Sequence, residues 1–237
     1  MVLDVADTGV PLARTVADPN KLSLRKQLRN AGFRMRGGMV WPISDLSGPN
    51  VKRRKSADIA VALRECSAFR SVVQAGGHCG VWPLALADRF STVYTFEPDA
   101  DNFTALTVNT AGKSNIVRFQ AALGNVHRTV GLTTLAGRTG RTFVSGEGNI
   151  PTLTIDDLGL LDCDLIILDV EGGEMNAFRG ARKTIERCRP VLMFEDKGHS
   201  RRFGFAKGAT PEWLEAHHGY RIATRMENDV VMVSLAV

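Results

Sequence analysis

The chain has 237 residues, 44% hydrophobic and 23% charged, which excludes a disordered or fibrous protein and allows one globular domain with a short extension. Its net charge of +5 is uneven: residues 1–60 hold 11 Lys and Arg against 5 acidic residues, and the remainder 19 against 20. A basic arm beside a neutral body suits an anionic partner such as nucleic acid or a glycan, and suits plain solubility equally well.

Residues 1–17 carry little pattern. Asp18-Pro19 opens a predicted helix through Lys21–Ala31, with Leu24, Leu28 and Ala31 on one face and Gly32 as its stop. Residues 37–56, which include the run Lys52-Arg53-Arg54-Lys55, read as an ordered loop or linker. The chain therefore divides into a basic N-terminal extension, 1–55, and a domain over 56–237. Ser56–Cys66 reads as a helix with Ile59, Leu63 and Cys66 on one face.

From Ser71 strands and helices alternate. Strand Ser71–Ala75 precedes helix Pro83–Phe90, and strand Thr92–Phe96 precedes helix Asp101–Thr110, whose Phe103, Leu106 and Thr107 are assigned to the core. Ile116–Gln120 is a third strand. Thr129–Leu135 and Thr142–Ser145 read as short extra strands around a glycine-rich turn. The run Asp164–Asp169 is the strongest strand, and helix Glu174–Arg187 follows it. Strand Val191–Phe194, helix Pro211–His218 and strands Arg221–Arg225 and Val230–Leu235 complete the series. The alternation implies an α/β fold with a doubly wound, mostly parallel sheet, closed by an antiparallel C-terminal hairpin.

Cys66, Cys79, Cys163 and Cys188 show no paired spacing, as expected of buried thiols in a reducing compartment. No apolar run approaches the ~18 residues of a membrane span. The N-terminus lacks the basic and apolar regions of a secretory signal, so the expected location is cytoplasmic.

The chemistry centres on Gln74-Ala75-Gly76-Gly77-His78-Cys79-Gly80, a tight glycine turn between a buried strand and a helix. Such a turn lets a ligand approach the backbone and meet the free N–H groups of the helix. Glu97, in Glu97-Pro98-Asp99, ends the next strand, where a carboxylate suits the two hydroxyls of a ribose. Ala121-Ala122 can let a flat purine lie against the backbone, or can simply pack tightly. In an open α/β sheet these segments and Asp169-Val170-Glu171-Gly172-Gly173-Glu174 all lie beyond the carboxyl ends of the strands.

These segments, with Thr154-Ile155-Asp156-Asp157-Leu158, Gly180-Ala181 and Arg189-Pro190-Val191-Leu192-Met193-Phe194-Glu195, follow one another in an order that resembles the FkbM family of methyltransferases. The resemblance covers roughly residues 70–235. It implies the seven-stranded class I methyltransferase fold, which is Rossmann-like, with S-adenosylmethionine as cofactor and methylation of a hydroxyl on a sugar or other small metabolite. It assigns Gln74, Gly76, Gly77, His78, Gly80, Glu97, Pro98, Asp99, Ala121, Ala122 and Asp169 to the cofactor. The wording around the glycine turn also resembles phage-borne copies. Two departures stand out. Gln74 replaces the family's Asp and loses its charge, and Gly77 replaces the usual Ala, a change expected to loosen the turn harmlessly.

Transfer to a hydroxyl requires an in-line geometry and an acceptor for one proton. Asp169 can meet the cofactor's amino group or the substrate. Glu171 is the first candidate base, with a helix N-terminal carboxylate as the alternative role. His199, in the basic loop Lys197–Lys207, is the second, with a solvated loop histidine as the alternative. His217-His218 read as a helix cap, and His127 has no motif around it. Asp169, Glu195 and Asp196 are expected to converge, where they can hold magnesium. No metal ligand is assigned. Two rival functions remain at this point: a dinucleotide-dependent oxidoreductase, and a non-catalytic methyltransferase-like domain that binds nucleic acid.

Overall fold

The computed structural model describes residues 19–46, 59–135 and 138–235. The run Lys52-Arg53-Arg54-Lys55 and residues 1–17 lie outside them. Among the described residues no helix is long and apolar enough to cross a membrane.

The central sheet has seven strands: β3 (Ser71–Ala75), β4 (Thr92–Phe96), β5 (Ile116–Phe119), β9 (Leu165–Leu168), β10 (Val191–Glu195), β11 (Tyr220–Arg225) and β12 (Asp229–Ser234). Their order is β11-β12-β10-β9-β3-β4-β5. The five strands β3, β4, β5, β9 and β10 pair in parallel, while β12 runs antiparallel to both its neighbours. Strands β3, β9 and β10 are buried along their whole length, which explains their near-continuous apolar runs.

Alternate side chains feed two core layers. Val73, Ala75, Ile166, Leu168 and Phe194 meet α5 (Glu174–Arg179), α6 (Arg182–Cys188) and α7 (Ala209–His218) through Phe178, Ile185 and Leu214. Val72, Val93, Leu165 and Ile167 meet Ile59 and Ala62 of α2 (59–65) and Trp82 and Leu86 of α3 (Val81–Ala87). All four cysteines are free; Cys79 and Cys163 are buried, Cys66 and Cys188 half-buried.

The structure corrects several expectations. The predicted helix Glu174–Arg187 breaks at Gly180-Ala181, because the Asp156 carboxylate accepts from the backbone N–H groups of Lys183 and Thr184 and starts a second helix there. In α4 (Ala100–Asn109) the buried residues are Asn102, Ala105 and Leu106, while Thr107 is exposed. Helix α1 (Pro19–Asn30) leaves Leu24 and Ala31 exposed, so of the predicted apolar stripe Leu28 alone packs against the core.

The reading of 37–56 as loop also fails in part. β1 (Phe33–Arg36) and β2 (Met39–Pro42) form a hairpin, with β2 fully buried. Asn109 of α4 bonds both the N–H and the C=O of Val40 and also the carbonyl of Cys79. Trp41 is buried against this surface beside Val81 and Ala105. The isolated short strand predicted at Thr142–Ser145 is part of β8 (Arg138–Leu153). It pairs antiparallel with β7 (Thr129–Leu135) and parallel with β6 (Ala122–Leu123). This β7–β8 arm rises beside the carboxyl ends of β3, β4 and β9, and supplies one wall of the site.

Candidate active site

A cavity of about 500 Å³ opens at the carboxyl ends of the parallel strands. Its first half is built by the turn after β3 and the ends of β4 and β5. Gly76 adopts φ +81°, and a Cβ there would lie 2.1 Å from the main-chain oxygen of Asp169, so only glycine lets β3 and β9 close so tightly. Gly76 and Gly77 both donate their N–H groups to the Phe96 carbonyl, which ties the turn to β4.

Glu97 is buried and lines the cavity. One of its oxygens accepts from the His78 N–H at 2.7 Å and the other from the Asp99 N–H at 3.0 Å. Burial raises its pKa above the ordinary carboxylate range, and these two N–H groups and His78 oppose the rise. Ala121 and Ala122 form a small-residue wall alongside Pro98 and Gly124.

Three residues assigned to this half by resemblance behave differently. Gly80, at φ +92°, donates its N–H to the Gly77 carbonyl and does not line the cavity. Gln74 is fully buried and does not line the cavity; its carboxamide oxygen accepts from the Thr95 hydroxyl at 2.6 Å. Asp99 is also absent from the wall. It caps α4, accepting from the Asn102 N–H at 2.9 Å. The expectation for Gly77 is corrected as well. A Cβ there would lie 2.5 Å from Leu106 Cδ1 and 2.8 Å from the Thr95 hydroxyl that holds Gln74. Glycine at 77 and the Gln74–Thr95 pair thus form one packing unit.

His78 stands at φ +45°. Its Nε2 lies 2.7 Å from Asp45 Oδ2 and 3.1 Å from the Thr139 hydroxyl, which itself donates to Asp45 at 2.8 Å. Asp45 is fully buried, and Asn102 donates to the Thr139 carbonyl. The N-terminal hairpin, the glycine turn and the β7–β8 arm are therefore joined through one imidazole. Neither Asp45 nor Thr139 carries a motif, and no sequence signal marks them.

The second half of the cavity is acidic at its floor. Asp169 and Glu171 follow β9, and Glu195 ends β10. Glu171 sits at φ +55° and is buried, with its carbonyl accepting from Arg202 at 3.1 Å. Burial, then the charge of Asp169, raises its pKa, while Lys197, Arg141 and Arg202 pull it back. Glu195 is likewise raised, first by burial and then by Asp169, and its ion pair with Lys197 opposes the shift.

His199 does not line the cavity wall; it stands behind it. Its Nδ1 lies 2.8 Å from Glu171 and 3.5 Å from Glu195, within ion-pair reach but off the angles of a hydrogen bond. Burial lowers its pKa, and Arg202, Lys197 and Arg141 add to that fall against the pull of Glu195. Glu174 accepts from the N–H groups of Val170 and Gly172, and burial pushes its pKa up to about 8.

Of Asp169, Glu195 and Asp196, expected to converge, the first two line the cavity together and the third does not. Asp196 turns away to accept from the Gly208 N–H and to face Arg225. Glu171, Glu195 and His199 converge instead, with one potential ligand atom from each within 4.8 Å of the others. His127 pairs with Asp157 at 2.7 Å on the surface, and His217 bonds the Trp213 carbonyl within its own helix.

The strand order, the antiparallel seventh strand and a glycine turn facing an acid at the end of the next strand define a class I methyltransferase fold. The chain belongs to the FkbM methyltransferase family: the methyltransferase FkbM domain matches residues 74–222, well over half of its length. Among solved structures it is similar to the methyltransferase FkbM from Methylobacillus flagellatus KT. The identity is 20% and the TM-score 0.47, covering 69% of this chain and 43% of that one. It is also similar to a putative O-methyltransferase from Klebsiella pneumoniae, at 13% identity and TM-score 0.47, covering 94% and 93%. A putative methyltransferase from Streptococcus mutans in complex with SAH is 10% identical, with a TM-score of 0.47 and coverage of 75% and 98%. The chain spans less than half the length of the Methylobacillus protein. No curated protein sequence matches it.

Proposed function

We propose that the chain is an S-adenosylmethionine-dependent O-methyltransferase acting on a hydroxyl of a sugar or other small metabolite. The observation that carries this reading is the continuity of the cavity: Glu97 and the glycine turn at one end share it with Glu171 and Glu195 at the other. The residues fit the cofactor. Among the described residues each Glu97 oxygen accepts one backbone N–H, which leaves acceptor capacity on both for a vicinal diol. Ala121 and Ala122 leave room for a flat base. S-adenosylmethionine, when bound, supplies a methyl group on a sulfonium centre.

Glu171 is the residue best placed to take the acceptor's proton. It lines the cavity, and its raised pKa brings it closer to the alcohol it must deprotonate. Arg202 on its carbonyl holds the left-handed turn that aims it. His199, with its Nδ1 2.8 Å from the Glu171 carboxylate, can receive the proton next. Lys197 already brings a positive charge to Glu195, so we expect turnover to survive chelation of magnesium.

The test is incubation with methyl-labelled S-adenosylmethionine and a metabolite extract, followed by identification of the labelled product. Glu171→Gln should lower labelling by about 10²-fold or more while S-adenosylhomocysteine binding, read by calorimetry, is unchanged. Binding without any labelled product would favour a non-catalytic domain, and equal labelling by the variant would remove Glu171 as the base.

A further inference from the structure

The cavity is electrostatically layered. Its floor carries Glu97, Glu171 and Glu195, all buried, while Arg128 and Arg141 line its mouth and are exposed. Beyond them the cavity runs into a shallower cleft between the β7–β8 arm and the segment His199–Phe203; the two share Arg128, Val144 and Phe203. The Arg202 guanidinium carbon lies 4.0 Å from the centroid of the Phe143 ring, and the side chain is fastened by its bond to the Glu171 carbonyl. Its guanidinium is thus pre-organised beside the catalytic carboxylate.

Among the described residues no carboxylate lies within ion-pair distance of Arg128, Arg141 or Arg202. The acid in the shallow cleft is Glu147, which is exposed. Arg128 and Arg141 on the cavity and Arg202 on the adjoining cleft, none of them in a direct ion pair and two of them facing Glu171 at longer range, form a set suited to an oxyanion with several acceptor oxygens. The acidic floor repels an anion, so a charged molecule can enter only with its anionic end outward and its neutral, hydroxyl-bearing end inward.

We propose that this mouth binds the phosphoryl group of the methyl acceptor, and that the acceptor is a phosphorylated hydroxy compound such as a sugar phosphate or a nucleotide-linked sugar. The inference rests on the O-methyltransferase reading above and adds the substrate class. Arg128, Arg141 and Arg202 hold the phosphoryl oxygens, and the cleft between Phe143 and Phe203 covers the adjoining ring. The hydroxyl to be methylated then reaches Glu171. Anion binding acts as an orientation filter here: a neutral sugar finds the same floor but no anchor at the mouth.

Calorimetric titration of the full chain with inorganic phosphate and with pyrophosphate, at low and at physiological salt, tests the site without needing the natural acceptor. The wild type should bind pyrophosphate more tightly than phosphate, with affinity falling as salt rises. Arg128→Gln/Arg141→Gln should weaken pyrophosphate at least tenfold and leave S-adenosylhomocysteine binding unchanged, which also shows that the variant is folded. Arg221→Gln, a remote exposed arginine on β11, should change neither. Absence of pyrophosphate binding by the wild type, or equal weakening by Arg221→Gln, would overturn the proposal. A short oligoribonucleotide bound more tightly than pyrophosphate through the same arginines would also overturn it. Failure of S-adenosylhomocysteine to bind the wild type would remove the methyltransferase reading itself, a different outcome from failure at the arginines.

Discussion

The two halves of the cavity are built on different principles. The half around the glycine turn uses main chain and short side chains at consecutive strand ends: Gly76 against Asp169, Glu97 on the His78 N–H, and Ala121-Ala122. Its shape follows from backbone geometry, so it tolerates little change. The half around Glu171 and Glu195 uses long side chains from segments far apart in sequence. Arg128 and Arg141 come from the β7–β8 arm, Lys197 and Arg202 from the segment after β10, and Asp45 ties the N-terminal hairpin to both halves through His78 and Thr139. Rigid scaffolding at one end and long side chains at the other is a division by which one fold can host different functions.

A pair of glycines gives the sharpest contrast. Gly76→Ala should cost about 2–5 kcal/mol of stability, from left-handed strain and from a Cβ 2.1 Å from the Asp169 carbonyl, and should abolish S-adenosylhomocysteine binding. Gly146→Ala, in the arm at φ +56° with open space around it, should cost only ~1–2 kcal/mol. Urea denaturation of both checks this, and equal losses would erase the distinction. Next in size, Glu97→Gln should weaken S-adenosylhomocysteine binding by about 1.5–3 kcal/mol without altering pyrophosphate affinity. A matching loss of pyrophosphate binding would show the halves to be coupled.

Asp45→Asn probes the tie between them. It removes the charge facing His78 and Thr139, and calorimetry should show a loss of about 1 kcal/mol in S-adenosylhomocysteine affinity. The smallest effect concerns pH. A base works only when ionised, so methyl transfer should rise with pH through the raised pKa of Glu171. Lys197 favours the ionised form; Lys197→Met should therefore raise that pKa and move the acid limb of the rate profile to higher pH, by less than about one pH unit. A limb that stays in place or moves down would contradict the charge assignment.

The amino-acid pattern by itself determined the sheet, its antiparallel close, the glycine turn and the positions of Glu97, Asp169 and Glu171. Each of these is a local matter: apolar runs of strand length, glycine where the chain must turn, and an acid at a strand end. Only the tertiary structure decided the rest. It placed Gln74 on Thr95 and Asp99 on the α4 cap, sent Asp196 away to Gly208, and brought His199 behind Glu171. It also folded residues 33–42, read in part as a linker, into a hairpin on α4, and set Arg128 and Arg141 on the cavity and Arg202 on the cleft that adjoins it. These are meetings between side chains that local spacing does not encode. Which of two carboxylates turns inward, and which arginines share a cleft, depends on distant segments competing for the same space and the same charge.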